Sequence, residues 1–342
     1  MRDSNNPSKE QILSIKDKRH RVIIPLYIPN EVGYYKDSWK VFEICLSSLL
    51  KSCESPIAIS IISNGSCKIV NDKLFNLFKD GLIDELIIEK ETIGKVNSIL
   101  KALRTANERF ITIADADVLF VNGWEKAILD IFKNFPKAGA VCPVPVFRKH
   151  NNYTYNIWFD NLFSKKLKFT KVVNPEAMSK FANSLGWSYL EDKYKDVYLT
   201  LQATNGLKAM VGCSHFVATY KREVFNDLPK NNTRYKLGGD SEGLYLDIPV
   251  LKYDSYRLST VNNYAYHMGN TLEDWFITTY NQILEIPKKP INDTYPVLKK
   301  SKVKYVIKSK LFRRFLGLNP FKKWFYKSKG LSNKQLANFN IK

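Results

Sequence analysis

The amino-acid sequence predicts an α/β protein built around a doubly wound, mostly parallel sheet, and three features of residues 20–145 indicate this fold class. Short apolar segments rich in β-branched residues are typical of buried strands. Each is followed by a segment with apolar residues at helical spacing, and the alternation repeats along this half of the chain. Because strands alternating with helices require crossover connections, we expect a parallel sheet with helices on both faces.

The predicted units follow one another directly. Each pairs a strand with the helix after it: RVIIPLYIP (21–29) with DSWKVFEICLSSLLKSC (37–53), IAISIIS (57–63) with KIVNDKLFNLFKDG (68–81), DELIIEK (84–90) with TIGKVNSILKALRTANE (92–108), and RFITIA (109–114) with GWEKAILDIFKNF (123–135). Residues 146–290 do not show this alternation of strand and helix patterns. Two extended segments around TNG (204–206) nevertheless predict a hairpin.

Composition excludes several classes of protein. No apolar run reaches the roughly 18 residues of a transmembrane helix, and neither end resembles a signal peptide, so we expect a cytoplasmic protein. The cysteines are odd in number and form no CxxC pair, which argues against a disulfide framework and a zinc site. They are predicted to be reduced and mostly buried: Cys45, Cys53, Cys67, Cys142 and Cys213.

The net charge of +20 lies mainly in the C-terminal tail, which is rich in lysine and arginine and has no acidic residue after position 293. Within this tail, Val303, Val306, Ile307, Leu311 and Phe315 fall on one helical face, and aromatic residues follow Pro320. A basic amphipathic helix predicts a peripheral anchor on an anionic membrane, here the inner face of the cytoplasmic membrane. The alternative is a last helix packed on the body with solvated lysines.

Two aspartates close the fourth predicted strand, in DADV. Asp115 and Asp117 are separated by two positions in an extended segment, so their side chains point to the same side, roughly 6–7 Å apart at the backbone. Ligands of doubly wound sheets bind beyond the carboxyl ends of the strands, which favours a metal or nucleotide site over a solvated turn. Asn122 and Glu125 have the spacing of a capping box for the next helix.

Several segments occur in a characteristic order: SNGS (63–66), TIGKVNSILKALRTA (92–106), RFITIADADV (109–118), GGDSE (238–242) and YAYHMGN (264–270). This set resembles family 2 glycosyltransferases with the GT-A nucleotide-diphospho-sugar fold, over about residues 20–270. The resemblance implies an N-terminal extension (1–19), a donor-binding half (20–145), an acceptor-binding half of the same domain (146–290) and the basic tail (291–342).

The resemblance also implies the donor and metal sites. Asp117 would bind Mn²⁺ or Mg²⁺ directly, Asp115 would contact the ribose or reach the metal through water, and His267 would be a third ligand. A packed or hydrogen-bonded histidine is the alternative for His267. The remaining donor-binding residues would be Pro25, Tyr27, Ser63, Asn64, Gly94, Lys95 and Ala116. Because Ser63 stands where the family commonly has an acid, the resemblance does not fix the identity of the donor nucleotide. A UDP-sugar is favoured.

Asp240 matches the general base of the family, with Glu242 as a rival and a helix cap as the structural alternative. Trp187, Gly212 and Gly239 would line the acceptor site, with Gly212 admitting the donor sugar. Other aromatic residues could stack on sugar rings or simply pack in the core: Tyr153, Tyr155, Trp158 and Tyr189. The expected reaction is inverting transfer to a glycan or lipid-linked glycan hydroxyl in surface polysaccharide biosynthesis.

Two other functions are alternatives to this one. A sugar-phosphate nucleotidyltransferase would have a glycine-rich loop after the first strand, where this chain has PLYIPNEVGYY (25–35). A nucleic-acid-binding protein would explain the positive charge, but the basic residues are concentrated in one tail and no recognition motif is present, so we expect no nucleic-acid partner. IGKVNS (93–98) lacks the spacing of a P-loop.

Overall fold

A computed structural model describes residues 6–12 and 20–340 of the chain. The predicted N-terminal extension, residues 1–19, therefore lies largely outside the described residues. Ten strands form one sheet and two short strands form a second. In chain order the strands are β1 His20–Leu26, β2 Ile57–Asn64, β3 Glu85–Glu89, β4 Phe110–Ala114, β5 Val118–Phe120, β6 Ala138–Cys142, β7 Leu167–Lys171, β8 Val197–Gln202, β9 Lys208–Val211, β10 Val217–Lys221, β11 Tyr256–Ser259 and β12 Ala265–His267.

The large sheet has the order β3-β2-β1-β4-β10-β6-β11-β9-β8-β7. Strands β3, β2, β1 and β4 are parallel neighbours, as the alternating pattern predicts. Strand β10 is inserted antiparallel between β4 and β6, and β11 then pairs parallel with β6. Most strands of the sheet therefore run in one direction, and the predicted α/β fold class is confirmed.

The helices fill the connections between strands. They are α1 Ser38–Ser52, α2 Lys68–Lys79, α3 Lys95–Thr105, α4 Trp124–Asn134, α5 Tyr155–Asp160, α6 Pro175–Ser184, α7 Asp192–Asp196, α8 Ile248–Lys252, α9 Asp274–Asn281, α10 Lys302–Tyr305, α11 Phe312–Leu316, α12 Asn319–Ser328 and α13 Asn333–Asn338. Every residue of β2 and β4 is buried, as expected of central parallel strands covered on both faces. None of the helices in the described part of the chain is long and apolar enough to cross a bilayer.

The second half contributes the antiparallel end of the sheet. The predicted hairpin around TNG is confirmed, because β8 and β9 pair antiparallel with Gln202 opposite Lys208. Strand β11 joins this hairpin to β6, so one continuous sheet contains strands from both predicted halves. The cysteines are free, and all but the half-buried Cys67 are buried, as predicted.

The predicted capping box at the start of α4 is wrong. Glu125 is fully buried and accepts hydrogen bonds from the backbone amides of Glu54 and Ser55, both at 2.8 Å. Its other oxygen lies 2.6 Å from Nδ1 of the buried His20. Asn122 instead exchanges hydrogen bonds with the backbone of Leu284. The capping-box spacing is present, but His20 binds the carboxylate, which joins α4 to the amino end of the inner strand β1.

The C-terminal tail is helical, as predicted. Helix α10 continues through a π-helical segment, Val306–Leu311, into α11, so residues 302–316 form one helical stretch. Phe325 and Tyr326 of α12 are buried against Trp158, a fully buried residue of α5. The tail is therefore packed on the body of the protein, and Trp158 is a core residue rather than a surface for stacking sugars.

Candidate active site

A cleft of about 410 Å³ opens at the carboxyl ends of β1, β2 and β4, the edge where ligands of such sheets bind. Its walls come from the end of β1 with the segment that leads into α1, the end of β2, the start of α3, the DAD turn after β4, and the loops at residues 236–237 and 269–270. The residues that line it are Pro25, Leu26, Tyr27, Ile28, Tyr34, Tyr35, Ser38, Val41, Asn64, Thr92, Lys95, Asp115, Ala116, Asp117, Lys236, Leu237, Gly269 and Asn270.

Backbone pairing brings His267 to the aspartates. Strand β12 pairs antiparallel with β5, which places His267 opposite Val118. The amide of Met268 also donates a hydrogen bond of 2.8 Å to the carbonyl of Asp117. As a result, Nε2 of His267 lies 3.4 Å from Oδ2 of Asp117, while its Nδ1 lies 3.0 Å from the hydroxyl of Ser184. The small second sheet thus builds one side of the acid cluster.

Asp115, Asp117 and His267 can supply a metal site. One ligating atom from each lies within 4.8 Å of the others. Oδ1 of Asp117 is shielded from solvent and has no hydrogen-bond partner among the described residues. Burial raises the pKa of Asp117 to about 6, although the neighbouring His267 favours its charged form. A divalent cation would satisfy this oxygen and stabilise the carboxylate, so the residues fit the predicted Mn²⁺ or Mg²⁺.

A chain of ion pairs runs from this cluster into the core. Nζ of Lys95 lies 2.6 Å from Oδ1 of Asp115 and 2.7 Å from Oε1 of Glu242. Nδ1 of His215 lies 3.3 Å from the other oxygen of Glu242, and its Nε2 lies 2.7 Å from Oδ2 of Asp247. Asp247 is fully buried and is also paired with Arg257, 2.5 Å away. The donor-side acid is therefore connected to a buried ion pair through Lys95, Glu242 and His215.

The charged groups along this series of ion pairs stabilise one another's ionised forms. Burial opposes the charged form of Lys95, but Asp115 and Glu242 outweigh it and raise the pKa of the lysine. Burial likewise disfavours ionised Glu242, but His215 and Lys95 hold the pKa of this carboxyl below its usual range. Despite burial, Asp247 and Glu242 raise the pKa of His215 to about 9. Glu242 is therefore ionised and held by two cations at neutral pH.

Asp240 has a different environment. It is exposed, its φ is +59°, and its carboxylate accepts a hydrogen bond from the hydroxyl of Tyr153 at 3.1 Å. Burial and the neighbouring Asp240 raise the pKa of Tyr153 to about 12, which keeps the phenol protonated as a donor. Asp240 opens the helical turn that leads to the π-helical segment Gly243–Asp247. The carboxylate is thus oriented by a single side-chain partner and faces solvent.

Only some of the other predicted donor residues line the cleft. Pro25, Tyr27, Asn64 and Ala116 line the cleft. Ser63 does not, because it is fully buried and donates its hydroxyl to Oδ1 of Asn71 at 2.5 Å. Oδ1 of Asn64 accepts the amide of Ile93 at 2.8 Å, which fixes the orientation of the side-chain amide.

Gly94 is required by a close approach of two backbones. Its φ is +92°, and a Cβ at this position would lie 2.7 Å from the carbonyl oxygen of Tyr235. The amide of Lys95 donates to the carbonyl of Lys236 at 2.9 Å. Gly94 therefore lets the 235–237 loop approach the start of α3 and close one side of the cleft.

The three predicted acceptor residues have different surroundings. Trp187 is half-buried, packs on Phe147, and is covered by the guanidinium of Arg148 at 4.9 Å. A Cβ at Gly212 would lie 2.7 Å from Cβ of Lys149, and a Cβ at Gly239 would meet the ring of Tyr235 at 2.4 Å. The missing side chain of Gly212 thus makes room for Lys149, and a contact of Gly212 with the donor sugar stays a prediction.

Sequence reasoning missed four residues of this site: Tyr153 as the partner of Asp240, together with His215, Asp247 and Arg257. Asp247 follows the GGDSE segment closely, whereas His215 lies in VGCSHF (211–216), well before that segment. The available signal was the presence of a histidine and a second acid near Glu242. Their pairing depends on the packing of the π-helical segment against β11, which no local pattern shows.

Comparison with known proteins gives the family. The sequence matches the model of glycosyl transferase family 2 over residues 22–228, more than half of the chain. No curated protein sequence matches it. Among solved structures, the S. aureus TarS 1-349 fragment is 11% identical with a TM-score of 0.40, covering 72% of this chain. The chain spans 60% of the length of that fragment.

Two further solved structures are similar at the same level. The mannosyltransferase PcManGT from Pyrobaculum calidifontis, in complex with GDP-Man and Mn²⁺, is 15% identical with a TM-score of 0.40 and covers 94% of this chain and 78% of its own. S. aureus TarS 1-349 in complex with UDP-GlcNAc is 12% identical with a TM-score of 0.39 and covers 76% of this chain and 64% of its own. By its family match over residues 22–228, the chain belongs to glycosyl transferase family 2.

Proposed function

We propose that this glycosyltransferase moves a sugar from a nucleotide-diphosphate donor to the hydroxyl of a glycan or lipid-linked glycan, with a divalent cation and with inversion at the anomeric carbon. The observation that carries the proposal is the convergence of Asp115, Asp117 and His267 in the cleft at the carboxyl ends of β1, β2 and β4. A nucleotidyltransferase would be a second use of such acids, but the family match favours glycosyl transfer.

The cleft supplies the contacts that a nucleotide needs. Tyr27, Tyr34 and Tyr35 form an aromatic group at its mouth, with Tyr27 and Tyr35 rings 5.9 Å apart, and such rings can pack against a base. Because the oxygen of Asn64 is used by Ile93, its NH₂ group is left to donate to a base carbonyl. Uracil carries such a carbonyl, as guanine does, so this contact fits the favoured UDP-sugar donor.

The diphosphate would lie between the acid cluster and Lys95. Asp117 and His267 would hold the cation directly, with Asp115 beside them, and the bound ion would neutralise charge on the departing nucleotide diphosphate. Lys95 remains cationic because Asp115 and Glu242 flank it, so its ammonium adds fixed positive charge at the same place. This chain therefore stabilises the leaving group with its own lysine as well as with its metal ligands.

The geometry favours Asp240 over Glu242 as the general base. A base must be free to take a proton from the acceptor hydroxyl. Glu242 is paired with Lys95 and His215, and its lowered pKa makes it a weak proton acceptor. Asp240 is exposed and has a neutral phenol as its partner. Attack assisted by Asp240 on the face opposite the leaving group is a single displacement, which inverts the anomeric carbon.

The function is tested with a panel of nucleotide sugars and Mn²⁺. We expect one donor to raise the melting temperature in the presence of Mn²⁺, and Asp117→Ala to abolish both this stabilisation and transfer. Asp130→Ala, at an exposed acid paired with Lys126, is the matched control and should behave like the wild type. NMR of the product would give its anomeric configuration. Full activity after removal of divalent ions would contradict the metal-dependent part of the proposal.

A further inference from the structure

The inner face of the C-terminal tail is fixed to the body by buried contacts. Lys308 is buried, and its Nζ lies 2.6 Å from Asp160 and 2.7 Å from Asp254. Lys329 is also buried and donates to the backbone carbonyls of residues 161, 162 and 164. Phe312 meets the ring of Phe159 edge-on at 5.2 Å. These contacts hold the tail in one orientation, so its outer face is a permanent surface of the protein.

The outer face carries large apolar side chains that no other described residue covers. Leu311 is 48% exposed, Phe315 56% and Trp324 49%. Further exposed apolar residues on the same tail are Val303, Val306, Ile307 and Leu318. This set contains the whole helical row identified from the sequence. Large exposed apolar groups concentrated in one segment of a protein commonly mark a site that meets a partner.

Basic residues surround this row. A shallow surface pocket of about 400 Å³ is lined by Ser309, Lys310, Arg313, Arg314 and Gly317. The hydroxyl of Ser309 is shielded from solvent and lacks a hydrogen-bond partner among residues 6–12 and 20–340. Three cationic side chains and an unpaired hydroxyl are groups that bind a phosphate oxygen. The pocket therefore adjoins the apolar row with the chemistry of a phosphate site.

We propose that this outer face of residues 303–324 docks on an anionic phospholipid bilayer, with the apolar row inserted among the acyl chains and the basic pocket on a lipid phosphate. Charge complementarity supports this partner, because the tail from residue 294 onward has many basic residues and no acidic one. A nucleic acid would account for the charge but offers no apolar phase for Leu311, Phe315 and Trp324.

The tail also contacts the acceptor side of the active site. The hydroxyl of Tyr326 donates to Oδ1 of Asn151 at 2.5 Å, and Arg313 lies over the ring of Tyr155 at 5.3 Å. In the sequence, Tyr153, the partner of Asp240, lies between Asn151 and Tyr155. Docking of the tail would therefore hold the predicted acceptor side next to a membrane surface. Binding itself does not depend on the proposed reaction, because it is measured without donor or acceptor.

The test is sedimentation of the full-length protein with lipid vesicles. We expect binding to vesicles of phosphatidylglycerol and phosphatidylcholine, and little binding to phosphatidylcholine alone. The double variants Leu311→Glu/Phe315→Glu and Lys310→Glu/Arg314→Glu should each weaken binding to the anionic vesicles by about tenfold or more. Ile69→Glu/Phe75→Glu, at exposed apolar residues of α2, is the matched control and should bind like the wild type.

A second measurement reports insertion without relying on the charge variants. Brominated lipids should quench tryptophan fluorescence of the wild-type protein, and Trp324→Phe should remove most of this quenching. The proposal is overturned if the wild type fails to bind anionic vesicles, if the tail variants bind as the wild type does, or if quenching persists in Trp324→Phe. Binding to single-stranded DNA that is equally tight and unaffected by Leu311→Glu/Phe315→Glu would identify a nucleic-acid partner instead.

Discussion

Nζ of Lys95 lies 2.6 Å from Oδ1 of Asp115, so an ammonium group already neutralises one of the acids that a metal would use. Replacement of Lys95 by methionine leaves Asp115 and Glu242 without this cation. We expect the Lys95→Met variant to bind Mn²⁺ in the absence of nucleotide about tenfold more tightly, since the cluster gains negative charge. Transfer should nevertheless fall by about 100-fold, because the diphosphate loses a fixed cation.

Isothermal titration calorimetry with Mn²⁺ and steady-state rates check these two effects separately. Lys101→Met is the matched control, because Lys101 is on the same helix and pairs with Glu89 away from the cleft. Unchanged Mn²⁺ affinity together with normal turnover in Lys95→Met would show that the lysine does not act on the diphosphate.

The choice of general base predicts a difference between two conservative variants. Asp240→Asn keeps the shape of the side chain, and asparagine tolerates the left-handed backbone at φ +59°. We expect it to lower kcat by about 10³-fold and to leave donor binding almost unchanged. Glu242→Gln should lower kcat by only about tenfold, since Glu242 positions Lys95 and His215. Single-turnover kinetics would measure both, and the reverse order of effects would make Glu242 the base.

His215 predicts a loss of stability in alkaline solution. Its pKa is raised from an ordinary 6.5 to about 9, so between these values the folded protein binds a proton that the unfolded chain does not. The stabilisation is therefore complete below about pH 6.5 and is lost as the pH rises through about 9.

The free energy of unfolding in urea, measured from pH 6 to pH 10 for the wild type and His215→Gln, tests this prediction. The difference between the two proteins should shrink as the pH rises. A difference that stays constant over this range would mean that His215 does not carry the proton.

Glu125 predicts a large effect on stability with no direct effect on chemistry. Its carboxylate accepts two backbone amides and the hydroxyl of Ser55, and it pairs with His20 inside the protein. Glu125→Ala leaves these donors without a partner, so we expect a loss of about 3–5 kcal/mol in the free energy of unfolding. Lys126→Ala, at the exposed neighbouring position, should change it by less than about 0.5 kcal/mol. Urea unfolding followed by circular dichroism would measure both.

The sequence predicted the parallel part of the sheet because each strand there contains a short apolar run and each helix has one apolar face. These are local signals. The position of Asp115 and Asp117 followed from the same reasoning, since the carboxyl end of β4 is where a site belongs. The insertion of β10 between β4 and β6 could not be predicted, because β10 joins strands that precede it by many residues.

The errors have the same origin. Glu125 has the spacing of a capping residue, but a distant histidine binds it in the fold. His215 and Asp247 were passed over because each alone is an ordinary polar residue. Their function as partners depends on tertiary contacts that neither spacing nor composition encodes.

The packing of Trp158 decides how the enzyme can be shortened. Its indole is fully buried, with the rings of Phe325 and Tyr326 at 4.7 and 5.2 Å. Truncation before α12 would uncover this tryptophan and the 150–155 segment beneath it, and the exposed aromatic surface would favour aggregation. The basic tail is thus part of the packed core around Trp158, and its removal would destabilise residues 150–155 as well as delete the proposed lipid-binding surface.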